Sequence, residues 1–283
     1  MVLCMRKHKR KWPWVLLTTM VVLGILCTWA LYRGLIVTRY TIHSYKLPQK
    51  RLRIALIADL HNCVFGEKQE DLLRLLSKEN PDIIVMAGDI ADEWSNPIIG
   101  MQWLVEGAVQ VAHCYNVTGN HEYWTMNVPA LKTNLRNMGV TVLEGNILSI
   151  FWDDVQINLC GLDDPDSVRG DHRGHYLQTL DEFSVLSPDI FNILAAHRPE
   201  YIEEYARYPF DLTLSGHTHG GQVRIPLFLN GLFAPDQGWM PMYAGGRYQI
   251  ANTTLIISRG ISYYPNLPRI FNPPELVIID LSR

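Results

Sequence analysis

The stretch LRIALIADLH, residues 52–61, is almost entirely apolar and then ends on an aspartate and a histidine two residues apart. A short apolar run that turns polar only at its C-terminal end is the pattern of a strand buried on both faces, as in a sheet covered by helices. The same pattern recurs in DIIVMAGD (82–89), HCYNVTGNH (113–121), FNILAAH (191–197) and LTLSGHTH (212–219). Helix-like stretches lie between several of these runs, at residues 67–78, 97–109, 128–138 and 199–205; the first carries Leu72, Leu73 and Leu76 at helical spacing. Such alternation predicts an α/β fold with parallel or mixed sheets. Three strand-like segments at residues 139–164 follow one another without helices, so a β-rich portion is expected mid-chain. TTLIISRG and ELVIIDL supply two more strands near the end, and there is no internal repeat or low-complexity tract.

At 283 residues, 48% apolar and 19% charged, the chain suits one large globular domain plus an accessory segment. The formal charge of -3 hides an asymmetry: residues 1–53 hold eleven Lys or Arg and no Asp or Glu. The remaining 230 residues therefore carry fourteen basic against twenty-eight acidic side chains. A domain that acidic repels a phosphate backbone, so nucleic acid is not an expected partner. No feature calls for an obligate protein partner either.

The basic excess belongs to the N-terminal segment. Residues 12–32 form a 21-residue run without a charge, and Arg6, Lys7, Lys9, Arg10 and Lys11 precede it. A helix of that length spans a bilayer core of about 30 Å. The positive-inside tendency keeps residues 1–11 as a basic cytoplasmic tail and makes 12–32 a transmembrane signal anchor. Residues 33–52 then read as a linker and 53–283 as a domain on the extracytoplasmic side of the cell membrane, in a single-pass arrangement. A cleaved signal peptide is the main alternative, but the run is long for one and no small-x-small site follows cleanly. Cysteines bear little on the compartment: Cys63, Cys114 and Cys160 are odd in number with no CxxC spacing, and the last two fall in strand-like runs as small apolar residues.

The chemistry gathers at the ends of five strand-like runs, the edge at which open α/β sheets bind ligands. Found there are Asp59 and His61, Asp89, Asn120 and His121, His197, and His217 with His219. All offer oxygen or neutral nitrogen, none is a thiolate, and Asp89 can bridge two ions, as a dinuclear site for first-row divalent metals requires. On an extended chain residues i and i+2 share a face about 6.5 to 7 Å apart, so the Asp59/His61 and His217/His219 pairs can reach ions about 3.5 to 4 Å apart. Gly216, Gly220 and Gly221 around the last pair permit tight turns and keep Cβ atoms clear of the metal. Without metals, two carboxylates and several imidazoles buried together would cost several kcal/mol each, roughly.

The ordered set D-x-H, G-D-x-x-D, G-N-H-E, H and G-H-x-H resembles the calcineurin-like metallophosphoesterases, over nearly all of residues 53–283. The resemblance implies a four-layer α/β/β/α sandwich of two mixed β-sheets. It also implies that Asp59, His61, Asp89 and His219 hold one metal and that Asp89, Asn120, His197 and His217 hold the second. Two such ions lower the pKa of bound water from about 15.7 to about 7, so that a bridging hydroxide can attack phosphorus. By resemblance His121 is the general acid or transition-state stabiliser, and Asp92, the second acid of GDIAD, orients its ring. Mn is the metal the resemblance favours; Fe, Zn and Co also suit an O/N ligand set.

Departures narrow the branch. Protein phosphatases of this family have Arg after the second Asp, where this chain has Glu93, and soluble UDP-diacylglucosamine hydrolases have Arg in place of His121. GHTHGGQVRIPL, YAGGRY and PPEL are instead similar to the bacterial membrane-associated or exported phosphodiesterase branch, some members of which act on UDP-diacylglucosamine. The expected activity is a membrane-tethered phosphodiesterase or pyrophosphohydrolase with a phosphoester substrate that can be lipid-linked. A broad phosphomonoesterase and a non-catalytic scaffold are the alternatives. Residues 226–243, PLFLNGLFAPDQGWMPMY, are an apolar loop able to wall the site, touch a membrane or simply cover a satellite core. Residues 163–176 offer Arg169, His172, Arg173 and His175 as a phosphate-contacting lid or a solvated connection.

Overall fold

The computed structural model describes residues 12–92, 97–125, 127–168, 172–263 and 267–283. The basic tail, Glu93 and Arg169 lie outside the described residues. Helix α1 (Trp12–Ala30) comes first and none of its residues is buried. It is long and apolar enough to cross a membrane.

The strand runs read from the sequence form the centres of two six-stranded sheets. In the first, β1 (Ile36–His43), β2 (Leu52–Ile57), β3 (Ile83–Ala87), β4 (His113–Val117) and β5 (Thr141–Val142) are joined by the last strand of the chain in the order β1, last strand, β2, β3, β4, β5. In the second, β6 (Ile147–Trp152), β7 (Val155–Gly161), β8 (Phe191–Ala195) and β9 (Leu212–Ser215) meet β12 (Gly246–Ile250) and β13 (Thr253–Ile257) in the order β12, β13, β9, β8, β7, β6. A short hairpin, β10 (Phe233–Ala234) with β11 (Gly238–Trp239), lies outside both sheets, and β14 (Glu275–Ser282) is the closing strand. Both sheets are mixed. β2, β3 and β4 run parallel to each other, as do β7, β8, β9 and β13, whereas β14 runs antiparallel to β2.

Side-chain parity builds the layers. Ile54 and Leu56 of β2 point between the sheets with Val85, Ile157, Leu159, Ile193 and Leu214, whereas Ala55 and Ile57 face the opposite way. That second face packs on α2 (Glu70–Glu79), α3 (Ile99–Val111) and α5 (Val128–Asn137) through Leu72, Leu76, Leu104, Val105, Leu131 and Leu135. The outer face of the second sheet is covered by α6 (His172–Asp181) and α7 (Ile202–Tyr205), with Tyr176, Leu180 and Tyr205 against Leu194 and Leu255. The result is an α/β/β/α sandwich whose central strands are buried on both faces, each fully buried Leu or Ile contributing about 1.5 to 3 kcal/mol. Cys114 and Cys160 are buried in the two outer cores, where burial pushes both thiols up to about 12.

The expected linker is not a linker throughout. Residues 36–43 form β1, which pairs in parallel with the whole of β14, Ile36 opposite Glu275 and His43 opposite Ser282. Tyr40 and Ile42 pack into the core between the sheets, while Leu35 and Val37 pack on the helical side. Glu275, fully buried, accepts from Thr38 Oγ1 and from the backbone and guanidinium of Arg259. A chain beginning at residue 46 is therefore expected to be less stable than one beginning at residue 34 by about 3 to 5 kcal/mol, since it loses a run of ladder bonds and a partner of a buried carboxylate. Urea midpoints of the two chains measure the difference; equal midpoints would show β1 to be dispensable.

Candidate metal centre

The C-terminal ends of β2, β3 and β4 lie at one edge of the first sheet, and those of β8 and β9 meet them from the second. Where the strands stop, their loops hydrogen-bond to one another. Asp59 N–H donates to the Gly88 carbonyl at 3.0 Å, His61 N–H to the Asp89 carbonyl at 2.9 Å, and His121 N–H to Asp89 Oδ1 at 2.9 Å. The sheets are stitched together at the same place. His217 N–H donates to both oxygens of Asp59, at 2.9 and 3.1 Å, and His197 Nδ1 lies 2.7 Å from the Ala87 carbonyl. A carbonyl only accepts, so Nδ1 of His197 carries the proton and Nε2 is left pointing at Asp89 Oδ2, 3.1 Å away.

The local backbone differs from the extended form expected for the i, i+2 pairs. Asp59, His61, Asp89, His217 and His219 all have φ between 46° and 73°, the left-handed region that non-glycine residues adopt at a cost of about 1 to 3 kcal/mol. The chain has already left the strand at Ser215, and the turn sends His217 and His219 to different places. Gly216 serves another purpose, because a Cβ there would come within 2.5 Å of Asp59 Oδ2. It admits the carboxylate, while Gly220 and Gly221, at φ 62° and 63°, make the turn itself.

Four overlapping groups of donors result among the described residues, the two outer ones joining His61 and Asp89 with His121, and His217 with Glu200 and Asp236; the two central ones are made of buried residues only. Asp59, His61 and His219 have ligand atoms within 4.8 Å of one another, and so do Asp89, His197 and His217. His61 Nε2 and His219 Nε2 approach to 3.3 Å, with Asp89 Oδ2 at 3.7 Å from the first and Asp59 Oδ1 at 3.7 Å from the second. Asn120, at the start of α4 (Asn120–Thr125), and His121 line the same cavity of about 210 Å³ as Asp89, His217 and His219. The His121 ring meets that of His61 edge-on at 4.5 Å and lies over Trp124 at 4.3 Å. Asp92 is buried at the end of the turn that begins at Asp89.

Electrostatics favour a bound cation. Burial lowers His61 to about 3, and burial together with His61 holds His219 well below its ordinary value, so these two rings are neutral donors. Burial raises Asp59 to about 6. Burial opposes the charged form of His197 too, but Asp89 and then Asp59 prevail and raise it to about 10. Asn120 Oδ1 is buried and accepts no hydrogen bond from the described residues. An orphaned oxygen, the His197 Nε2–H facing a carboxylate, whose proton a bound cation would replace, and two converging neutral imidazoles together form an O/N set that fits divalent first-row ions.

Residues 52–221 match the family model described as calcineurin-like phosphoesterase. The chain belongs to this family. It is 31% identical over 246 residues to a bovine (Bos taurus) transmembrane protein with metallophosphoesterase domain, covering 81% of this chain and 53% of that protein, so it spans about half that relative's length. It is likewise 31% identical over 252 residues to an uncharacterized metallophosphoesterase of Aquifex aeolicus, covering 87% and 91% of the two chains. Among solved structures it is similar to a phosphopantetheinyl hydrolase from Mycobacterium tuberculosis, with 14% identity, a TM-score of 0.49, and coverage of 77% and 90%.

Around the donors of this family member stand residues absent from the set expected from the sequence. Glu122, the last residue of GNHE, is buried and accepts from four backbone N–H groups, those of Asp89, Ile90, Ala91 and Gly119, at 2.8 to 3.1 Å. It ties the loop after β3 to the loop after β4. Burial and the Asp89 charge push it up to about 7, against the pull of those N–H groups. Asp236, from the β10–β11 turn, receives His217 Nε2 at 2.8 Å and Arg198 Nη1 at 2.7 Å. Arg198 in turn grips Asp164 with Nε and Nη2. Glu122 stands inside GNHE and Arg198 directly follows FNILAAH, so both were within reach of the motifs; Asp236 sits in an apolar loop without a period and gave no signal. Of the expected lid, Arg173 is occupied by an ion pair with Glu204 on α7.

Proposed function

We propose that this phosphoesterase-family chain is a membrane-tethered, dimetal phosphodiesterase or pyrophosphohydrolase. The observation that supports it most is the pair of buried donor groups that approach each other at Asp89, with Asp89, His217 and His219 lining one cavity. In this reading Asp59, His61, Asp89 and His219 hold one ion, and Asp89, Asn120, His197 and His217 hold the other, with Mn favoured. A metal pair bound there supplies an ionised water at neutral pH and positive charge for the phosphoryl oxygens. The protein's own residues do the rest. Asp89 and Asp59 fix the donors of the two sheets relative to each other, and His121 gives a proton to the departing oxygen, with Asp92 as the residue that orients it. His217 is held by Asp236, so its Nδ1 is the nitrogen left for a ligand role. The exposed apolar α1, the basic residues before it and the name of the bovine relative support a single-pass anchor with the domain outside the cytoplasm. A lipid-linked or nucleotide-diphosphate substrate, UDP-diacylglucosamine among the candidates, is consistent with that placement.

The test is hydrolysis of bis-p-nitrophenyl phosphate against p-nitrophenyl phosphate by the full chain, stripped of metal and then supplied with Mn. Metal-dependent diester cleavage supports the proposal. Preferred monoester cleavage would move the chain to the phosphatases, and two bound ions without turnover would make it a scaffold. Asp236→Ala is expected to weaken metal retention about 10- to 100-fold, the usual effect of removing the partner of a ligating histidine. Competition with a chelator measures it; unchanged retention would mean that Asp236 does not orient His217.

A further inference from the structure

The register of the first sheet fixes where α1 meets the domain. β1 opens at Ile36 opposite Glu275, and β14 runs antiparallel to β2, with Val277 opposite Leu56. The chain thus enters the sheet at the edge where β2 ends and Asp59 and His61 begin. Side-chain and backbone contacts hold α1 there: Phe271 N–H donates to the Ala30 carbonyl at 2.8 Å, and the Trp29 ring meets Phe271 edge-on at 5.0 Å. The next residue, Asn272, donates to the His219 carbonyl at 2.7 Å. Ile270 pairs with Gln222 and Arg224, the segment that leads directly into the apolar loop.

That loop is not a satellite core. Leu227 is fully exposed, Phe228 is 87% exposed, and Trp239, Met240 and Met242 are each at least 70% exposed. The β10–β11 hairpin, braced by Phe233 against Trp239 at 5.5 Å, sends Pro235 and Asp236 into the catalytic cavity while Trp239 and Met240 face outward. One loop therefore has a polar tip in the site and apolar flanks in the open, on the edge from which the apolar helix departs. Exposed Trp, Phe and Met side chains grouped in this way are suited to the bilayer interface.

Resting on the reading of α1 as a membrane span, we propose that the catalytic edge lies against the bilayer surface, docked by residues 225–242 as well as by α1, and receives phosphoester groups from amphiphiles held in that membrane. The occupant of the loop's apolar flank is lipid. The phosphoester reaches the cavity past Pro235 without the amphiphile leaving the interface.

The full chain, with Cys4, Cys27 and Cys63 replaced by serine, is reconstituted in nanodiscs of phosphatidylethanolamine and phosphatidylglycerol. Nitroxides are placed one at a time through Leu227→Cys, Val22→Cys in α1 and Val185→Cys, an exposed residue just before β8 at the opposite edge. Collisions with oxygen and with a water-soluble nickel chelate are measured, and each labelled chain is assayed on bis-p-nitrophenyl phosphate. The proposal expects nickel contact at position 227 to be about ten-fold or more below that at 185, as for a side chain seated among acyl groups. Position 22 should behave like 227. Nickel access at 227 with lipid burial at 22 would overturn the docking and leave the anchor standing; nickel access at both would remove the anchor and the docking with it. Protection at 227 that persists in detergent with a doubled mass would overturn lipid in favour of a second copy. Lipid burial at 227 without any hydrolysis would support the docking while the hydrolase reading fell.

Discussion

Replacing Asp89 by alanine is expected to abolish turnover and to reduce the metal content below two ions per chain. Its carboxylate lies between the two donor groups, 3.7 Å from His61 Nε2 and 3.1 Å from His197 Nε2, and it also anchors the His121 N–H. Loss of several kcal/mol of transition-state stabilisation corresponds to about 10³-fold or more in rate. Metal analysis and kcat on bis-p-nitrophenyl phosphate would be measured together. An alanine variant that kept both ions and more than a tenth of the activity, roughly, would place the shared ligand elsewhere.

His121→Ala should separate from Asp89→Ala by keeping its metals. The ring lines the cavity with a nitrogen within 4.8 Å of the ligand atoms of His61 and Asp89, but it is outside the Asp59–His61–His219 and Asp89–His197–His217 groups, and a general acid contributes about 10²- to 10⁴-fold. The loss should depend on the substrate. A p-nitrophenolate departs without needing a proton, so its cleavage should suffer less than that of an alkyl or sugar ester with a poor leaving group. An equal loss on both would assign His121 to charge stabilisation rather than to proton transfer, and no loss on either would remove it from the reaction.

What could be read in the sequence was what depends on near neighbours. Runs such as 54–57 and 83–87 are apolar throughout because both faces of each strand are buried, and their polar ends mark the edge where the donor groups gather without knowledge of the sheet order. β1 was hidden because its partner, β14, is more than two hundred residues away. Its Arg39 and Thr38 resembled the basic linker around them until Glu79 and Glu275 came into view as their partners. The left-handed backbone at Asp59, His61, Asp89, His217 and His219 was invisible for a different reason. Those conformations accompany hydrogen bonds between loops far apart in sequence, such as Asp59 with Gly88, His61 with Asp89 and His217 with Asp59, and none of the five is a residue type whose presence demands a positive φ.

The site is also a seam. Asp59, His61, Asp89 and Asn120 hang from the first sheet, while His197, His217 and His219 hang from the second, so each donor group draws on both halves of the sandwich. An ion that engages either group clamps the halves together, and its binding energy adds to the apolar contact and the few hydrogen bonds that join the layers there. At a free metal concentration a hundred times the dissociation constant, each site would add about 2.7 kcal/mol to the unfolding free energy. The thermal midpoint would then track metal supply, and metal shortage would lower the folded fraction of the chain as well as emptying its sites.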